Sequence, residues 1–404
     1  MDQLNKLLQS ISKPRYEEDT VDKLNYRITG YILLAIALSL STVSWFGNPL
    51  HCWAPAQWKD WWVEYTNDYC FVENTYWLPF ERQIPTDTDE RDRRMLNYYQ
   101  WIPIVLALQA LMMNIPHMIW RMLNWLSGIE VRAVISMACH PGELGGSKVD
   151  STVSMIANHI RDGVKVGEAA SGSGNPASWP FRLWLKGSFV TAVYFTVKLL
   201  FVANLFLQFV ILGWFLGSNY TWWGASMLLD LLNGVSWYST GHFPRATLCD
   251  LRVRQLGNVH RWTVQCVLSM NMLAEKLYIF LWWWFMLVTV ITVINAIYWL
   301  FAIALQTNKD AFVRRLLATH RLPKTGDQAH FREFMDKHVQ NDGMLTLRLL
   351  ANNAGSVMGA MVVAKMWDNF IEEKKKRFHP SLVSPDVKII AEDPNSPTSH
   401  AVSV

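Results

Sequence analysis

Four apolar runs constrain what this chain can fold into: residues 28–46, 101–120, 189–212 and 277–305. A hydrocarbon layer about 30 Å thick is crossed by about 20 helical residues rising about 1.5 Å each, so every run is long enough. The first and fourth carry no charge, the second has only His117 as a titratable group, and the third only Lys198. One such run fits a buried core helix. Four in 404 residues, with polar loops between them, do not all fit inside a soluble core. The expected fold class is an all-α membrane protein whose subunit has four transmembrane helices.

The runs divide the chain into an N-terminal segment 1–27, spans 28–46, 98–120, 188–212 and 277–305, outer loops 47–97 and 213–276, a cytoplasmic loop 121–187, a helical cytoplasmic C-terminal domain 306–377 and a disordered tail 378–404. Residues 1–27 are polar and no small-residue cleavage site follows, so the first span reads as a retained signal-anchor. Lys23 and Arg27, then Arg121, Arg132, Arg182 and Lys186, then Lys309, Arg314 and Arg315 flank the spans on one side, which the positive-inside rule makes cytoplasmic, both termini included. Arg91, Arg93 and Arg94 oppose that assignment from the outer side.

Cysteine placement supports the same topology. Cys52 and Cys70 lie in the first outer loop, Cys249 and Cys266 in the second, and Cys139 alone in the cytoplasmic loop. Pairs at C-x17-C and C-x16-C on the oxidising side imply disulfide-linked extracellular loops. Four cysteines allow three connectivities, and sequence does not choose among them.

Leu4, Leu7, Leu8 and Ile11 form a helical stripe opposed by Asp2, Gln3, Asn5, Lys6 and Gln9. Such a helix lies on the membrane surface or folds into a pore mouth with its polar face to water. Residues 148–161 read as an amphipathic helix and 168–178 (EAASGSGNPAS) as a flexible break. Residues 310–319, 327–339 and 342–373 read as helices with gaps at Pro323 and Gly343. Lys374 to Arg377 read as a solvated helix end or a contact with anionic lipid. Asn219-Tyr220-Thr221 is a glycosylation sequon close to the end of the third span.

No catalytic or phosphate-binding signature is present, and the net charge of +4 suggests no nucleic-acid partner. No cofactor and no metal site are expected. His117 reads as a core or interface residue. Lys198 faces a water-filled pore or pairs inside the helix bundle, since a bare charge in hydrocarbon is costly. Trp282, Trp283 and Trp284 read as an outer-interface anchor.

"YYQWIP" (98–103), "HCWAPAQW", "YTNDYCFVENTYWLP", "FPRATLCDLRVRQLGN" and "VQCVLSMNMLAEKLYIFLWWWF" together resemble the innexins, the invertebrate gap-junction proteins. The resemblance covers about residues 20–320. It implies a ring of subunits, expected to be octameric, around a wide pore, and docking of two rings from adjacent cells through the outer loops. Ions and small metabolites would then pass by diffusion, with no enzyme chemistry. The partners implied are further copies of the chain, other innexins and membrane lipid, at the plasma membrane. It implies disulfides Cys52–Cys266 and Cys70–Cys249, and an N-terminal helix folded into the pore. Asp2, Gln3, Asn5 and Lys6 then line the lumen, with Lys198 a further candidate. Pro103 and Pro116 are tolerated because neighbouring helices and water satisfy the carbonyls they free, and each is expected to kink the second span. The alternatives are an undocked, pannexin-like hemichannel, which a glycan on Asn219 would favour, and a non-conducting adhesion scaffold. A secondary transporter fits less well, since the spans show no internal repeat.

Overall fold

The computed structural model describes residues 19–124, 129–139, 146–172, 188–215, 223–233, 243–320 and 328–378. Asp2, Gln3, Asn5, Lys6, Asn219, Pro323 and the tail lie outside the described residues. In chain order, α1 (Thr20–Phe46) leads to β1 (Leu50–Cys52), α2 (Asp60–Val72), β2 (Thr75–Tyr76), α3 (Thr88–Asp92) and β3 (Met95–Leu96). Then come α4 (Ile102–Asn124), α5 (Val131–Cys139), α6 (Gly146–Gly172), α7 (Phe189–Phe215) and α8 (Trp223–Leu232). The hairpin of β4 (Ala246–Gln255) and β5 (Asn258–Leu268) runs straight into α9 (Ser269–Ala304). Helices α10 (Gln306–His320), α11 (Gln328–Phe334), α12 (Gln340–Ala354) and α13 (Ser356–Phe378) complete the described chain.

Helices α1, α4, α7 and α9 are long and apolar enough to span a membrane. They pack as a closed cycle, α1 on α4, α4 on α7, α7 on α9 and α9 on α1. Only 33–44% of each apolar window is buried within the subunit, so most of that surface is left for lipid or other chains. Helix α9 has 36 residues, about 54 Å at about 1.5 Å each, and is longer than a hydrocarbon layer about 30 Å thick. The helix itself starts at Ser269, two turns before the span expected from residue 277.

Two bodies sit at opposite ends of the bundle. At one end the two outer loops form a cap around an antiparallel sheet in the order β1-β5-β4-β2-β3. Along β4 and β5, Thr247, Cys249, Leu251, Val264, Cys266 and Leu268 alternate inward, the period-2 pattern of a half-buried sheet. At the other end α5, α6 and α10–α13 pack around Val134, Ile156, Ile160, Val313, Phe334, Leu347 and Val363. A second layer, including Tyr26, Trp120, Val197, Trp299, Leu345 and Leu349, joins these helices to the spans.

Two expectations change here. Pro103 is the second residue of α4, where its missing N–H has no helical partner to lose, so it starts the span and does not kink it. Gly343 lies within α12, against Ile160 and Val164 of α6; the break falls at Gly355, whose φ of +93 suits a residue without Cβ. The tryptophan run, expected as an outer-interface anchor, also makes packing contacts. It lies more than three turns into α9, where Trp282 is buried against Phe209 and the backbone of Gly224, and Trp284 donates to Thr29 Oγ1 at 3.0 Å. A Cβ at Gly224 would come within 2.3 Å of the Trp282 ring, so this approach needs glycine.

Candidate functional site: a stapled cap and a buried ion cluster

Cys52 and Cys266 face each other across β1 and β5, and their sulfurs are bonded; Cys70, at the end of α2, is bonded to Cys249 of β4. The sulfurs of Cys52, Cys70 and Cys266 lie within 4.8 Å of one another, so the two staples are neighbours in one core. Both join the loop after the first span to the loop after the third. They close sequence separations of 214 and 179 residues.

The Tyr98-Tyr99-Gln100-Trp101 motif links this core to the membrane. Helix α2 ends with carbonyls that have no intrahelical donor. Tyr99 Oη donates to Phe71 O at 3.2 Å; Gln100 Nε2 donates to Phe71 O, to Val72 O at 3.1 Å and to Asn74 Oδ1 at 3.2 Å. Tyr98 Oη accepts from Asn271 Nδ2 at 2.8 Å, which ties the entry of α4 to the first turn of α9. Burial pushes the Tyr99 phenol up to about 12 and raises Tyr98 as well, so both hydroxyls stay protonated. Trp101 is half exposed at the head of α4.

Asp250 of β4 binds the rest of the first loop to the hairpin. It accepts from Arg91 Nη1 at 2.7 Å, Thr263 Oγ1 at 2.8 Å and Tyr76 Oη at 3.3 Å. Burial and the Asp250 charge push the Tyr76 phenol up to about 12. Arg94 pairs with Glu90 at 2.7 Å. Arg91 and Arg94, which spoke against the charge rule, are thus held in ion pairs within the cap.

Lys198 does not face a lumen within the subunit. Its side chain is 1% exposed and donates to Asp22 Oδ1 at 2.7 Å, Asn295 Oδ1 at 2.7 Å and Asp19 Oδ2 at 3.3 Å. Asp19 also accepts from Trp299 Nε1 at 2.8 Å and Asn295 Nδ2 at 2.6 Å. The reason is electrostatic: a cation in the bundle is far cheaper beside two carboxylates than alone. The cluster fastens the start of α1, and so the root of the N-terminal segment, to α7 and α9. His117 is buried and stacked on Tyr26 with ring centroids 4.1 Å apart, a core position. Pro116 does lie inside α4. The carbonyl it leaves without an N–H is that of Met112, and Asn204 Nδ2 of α7 donates to it at 3.2 Å.

The Innexin family model matches residues 18–370. Over 372 residues the chain is 37% identical to Innexin unc-9 of Caenorhabditis elegans, covering 90% of this chain and 95% of that one. The chain belongs to the innexin family. It is also 33% identical to Innexin-3 of C. elegans over 378 residues (93% of this chain, 90% of that one). Identity to Innexin eat-5 of C. elegans is 31% over 382 residues (91% and 90%). This innexin is a gap-junction channel subunit and a multi-pass membrane protein.

Several of its working residues escaped the sequence reading. Asp250, Asn271 and Asn204 are single polar residues whose partners Tyr76, Tyr98 and Met112 are 92 to 174 positions away, so nothing local marks these contacts. Asp342, the third residue of α12, accepts from Thr191 N at 2.9 Å and Thr191 Oγ1 at 2.8 Å, so it caps α7 from another helix. Lys374 and Lys376 in the basic run pair with Glu333 and Glu372, as a solvated helix end does.

Proposed function

We propose that subunits of this innexin form an octameric ring around a wide pore, with both termini cytoplasmic and the stapled cap outside. Two rings from adjacent cells meet cap to cap, and ions and small metabolites then diffuse between the cytoplasms. The observation that carries this reading is the pair of disulfides joining the two loops into one sheet-based body. Disulfides persist in the extracellular space, and a covalently fixed cap keeps its outer surface in shape for a second copy. Lys23, Arg27, Arg121, Lys309, Arg314 and Arg315 at the opposite end support the orientation. Asp2, Gln3, Asn5 and Lys6 line the inner mouth, on a segment whose root at Asp19 and Asp22 is held by Lys198. Lys198 itself is a fastening residue in this scheme and does not line the pore.

Dual voltage clamp of cell pairs expressing only this protein tests the proposal. Junctional conductance is expected. Surface-delivered protein that gives none in any pairing overturns it. The sequon at Asn219 favours a second reading, an undocked hemichannel. A glycosidase-sensitive mass shift, with unopposed membrane current and no junctional current, selects that reading.

A further inference from the structure

The β4–β5 hairpin outruns the sheet that holds it. Strand β1 covers β5 only from Cys266 to Leu268, and β2 covers β4 only at Leu248. Past the Cys70–Cys249 disulfide and the buried Leu251, the last four residues of β4, Arg252 to Gln255, run about 13 Å, at about 3.3 Å each, as one arm of a two-stranded ribbon. Such a ribbon is marginal alone in water and gains from a partner. Its turn is Leu256-Gly257, with φ of +51 and +87. A turn with positive φ at both central residues favours Asn, Asp or Gly at the first, because a Cβ is crowded there. Here that position holds a leucine, 99% exposed. The strained backbone presents an apolar side chain at the far point of the cap.

Two unpaired charge sets flank this knob. The ribbon exposes Arg252, Arg254 and Arg261; α2 exposes Asp60, Glu64 and Asp68, spaced four apart and so on one stripe. Among the described residues, none of these six holds an ion pair within the subunit. Between ribbon and stripe lies an open groove of ≈ 490 Å³ lined by Trp58, Trp61, Trp62, Tyr65, Val253 and Trp262. Knob, groove and acidic stripe adjoin, and by strand alternation Arg252, Arg254 and Arg261 project from the ribbon face opposite the one that lines the groove, so an inserted ribbon turns them away from its own subunit's groove.

We infer that opposed copies interlock through this patch, Leu256 of each entering the tryptophan groove of the other while the arginines of its ribbon lie along the acidic stripe of α2. The inference rests on the reading that the cap meets a second cap. Charge complementarity and the groove's room for a leucine select a second copy as occupant. Because knob and groove lie side by side on one cap, the patch can complement itself, which is the property of a contact across a two-fold axis. A contact between neighbours in one ring would join two different flanks.

Charge reversal tests it. Protein A carries Arg252→Glu, Arg254→Glu and Arg261→Glu; protein B carries Asp60→Lys, Glu64→Lys and Asp68→Lys. In A–A and B–B cell pairs both halves of every contact bring like charges together, and junctional conductance is expected to fall at least about tenfold. In A–B pairs both halves are again opposite in sign, and conductance should return to near the wild-type level. Native gels and surface biotinylation should show both proteins as assembled rings at the surface. Wild-type conductance in A–A pairs, or none in A–B pairs, overturns the inference. Failure of A or B to form rings also overturns it, because the contact then lies within one ring. If wild-type pairs do not couple, the docking reading falls, and this inference with it. If wild-type pairs couple while A–B pairs stay silent, only the inference falls.

Discussion

Lys198→Met separates a structural cation from a pore-facing one. In the wild type, Lys198 is the only lysine or arginine in α7 and sits between two carboxylates, Asp22 at 2.7 Å and Asp19 at 3.3 Å. Methionine fills a similar volume but leaves Asp22, buried at 3% exposure, without its cation. Breaking a buried pair from one side costs about 3–5 kcal/mol, mostly the penalty of the stranded charge. At about 2.1 cal/mol/K per residue, a chain of 404 residues unfolds with an entropy near 0.85 kcal/mol/K, so the melting point should fall by about 4–6 °C. Asp22→Asn alone leaves Lys198 with Asp19 and Asn295 and should cost less, about 1–3 kcal/mol. The double variant removes the more buried of the two stranded carboxylates, Asp22, and should recover part of the loss, Asp19 keeping its hydrogen bonds from Trp299 and Asn295. The assay is thermal unfolding of detergent-purified rings followed by tryptophan fluorescence, run as a double-mutant cycle. If Lys198→Met melts within about 1 °C of wild type, or if adding Asp22→Asn makes it worse, the buried-pair reasoning is wrong.

Cys52→Ser or Cys266→Ser should abolish junctional coupling, since each removes a staple with a stability contribution of about 2–4 kcal/mol; normal conductance by dual voltage clamp would count against a stapled docking surface. Gln100→Ala takes the side-chain donor from Val72 O and one of two from Phe71 O, and should lower stability by about 1–3 kcal/mol. Tyr99→Phe should cost only about 0.5–1.5 kcal/mol, so equal melting losses for the two would contradict the assignment. Asn204→Leu should destabilise the bundle, and adding Pro116→Ala should reverse part of that loss because residue 116 then donates to Met112 O itself. Strictly additive melting shifts would show that Asn204 does not serve the proline.

The spans were legible because a run of about 20 apolar residues has few other destinations. The staples were half legible. Placing two cysteines in each outer loop is a one-dimensional fact, whereas the pairing of Cys52 with Cys266 follows from strand register. The sheet was not foreseen. The alternation of Thr247, Cys249 and Leu251 carries a strand signal, but the turn is Leu256-Gly257 and lacks the Asn or Asp that announces a tight hairpin. Pro103 and Pro116 look alike in sequence. They differ only because α4 begins at Ile102, and a helix boundary is set by the cap above it. The break expected at Gly343 fell at Gly355 for a similar reason: α6 packs over Gly343, so its lack of a side chain serves contact and not a turn.

The two ends of the bundle are fastened by different chemistry, and in the orientation proposed their surroundings explain why. Outside, thiols oxidise, and two neighbouring disulfides hold α2 to the β4–β5 hairpin. Inside, thiols stay reduced. Cys139 donates its S–H to Asn353 O at 3.7 Å, and burial pushes its thiol up, which keeps it unreactive. Fastening at that end falls to charge and hydrogen bonds. Lys198 holds Asp19 and Asp22, Asp342 caps α7 through Thr191, and Lys23 reaches Asn353 at 3.5 Å. These contacts join α1 to α7, α7 to α12, and α12 back to α1. The start of α1 is therefore fixed by a closed circuit of polar contacts, none of them covalent. A single substitution can open that circuit while leaving both disulfides of the cap in place.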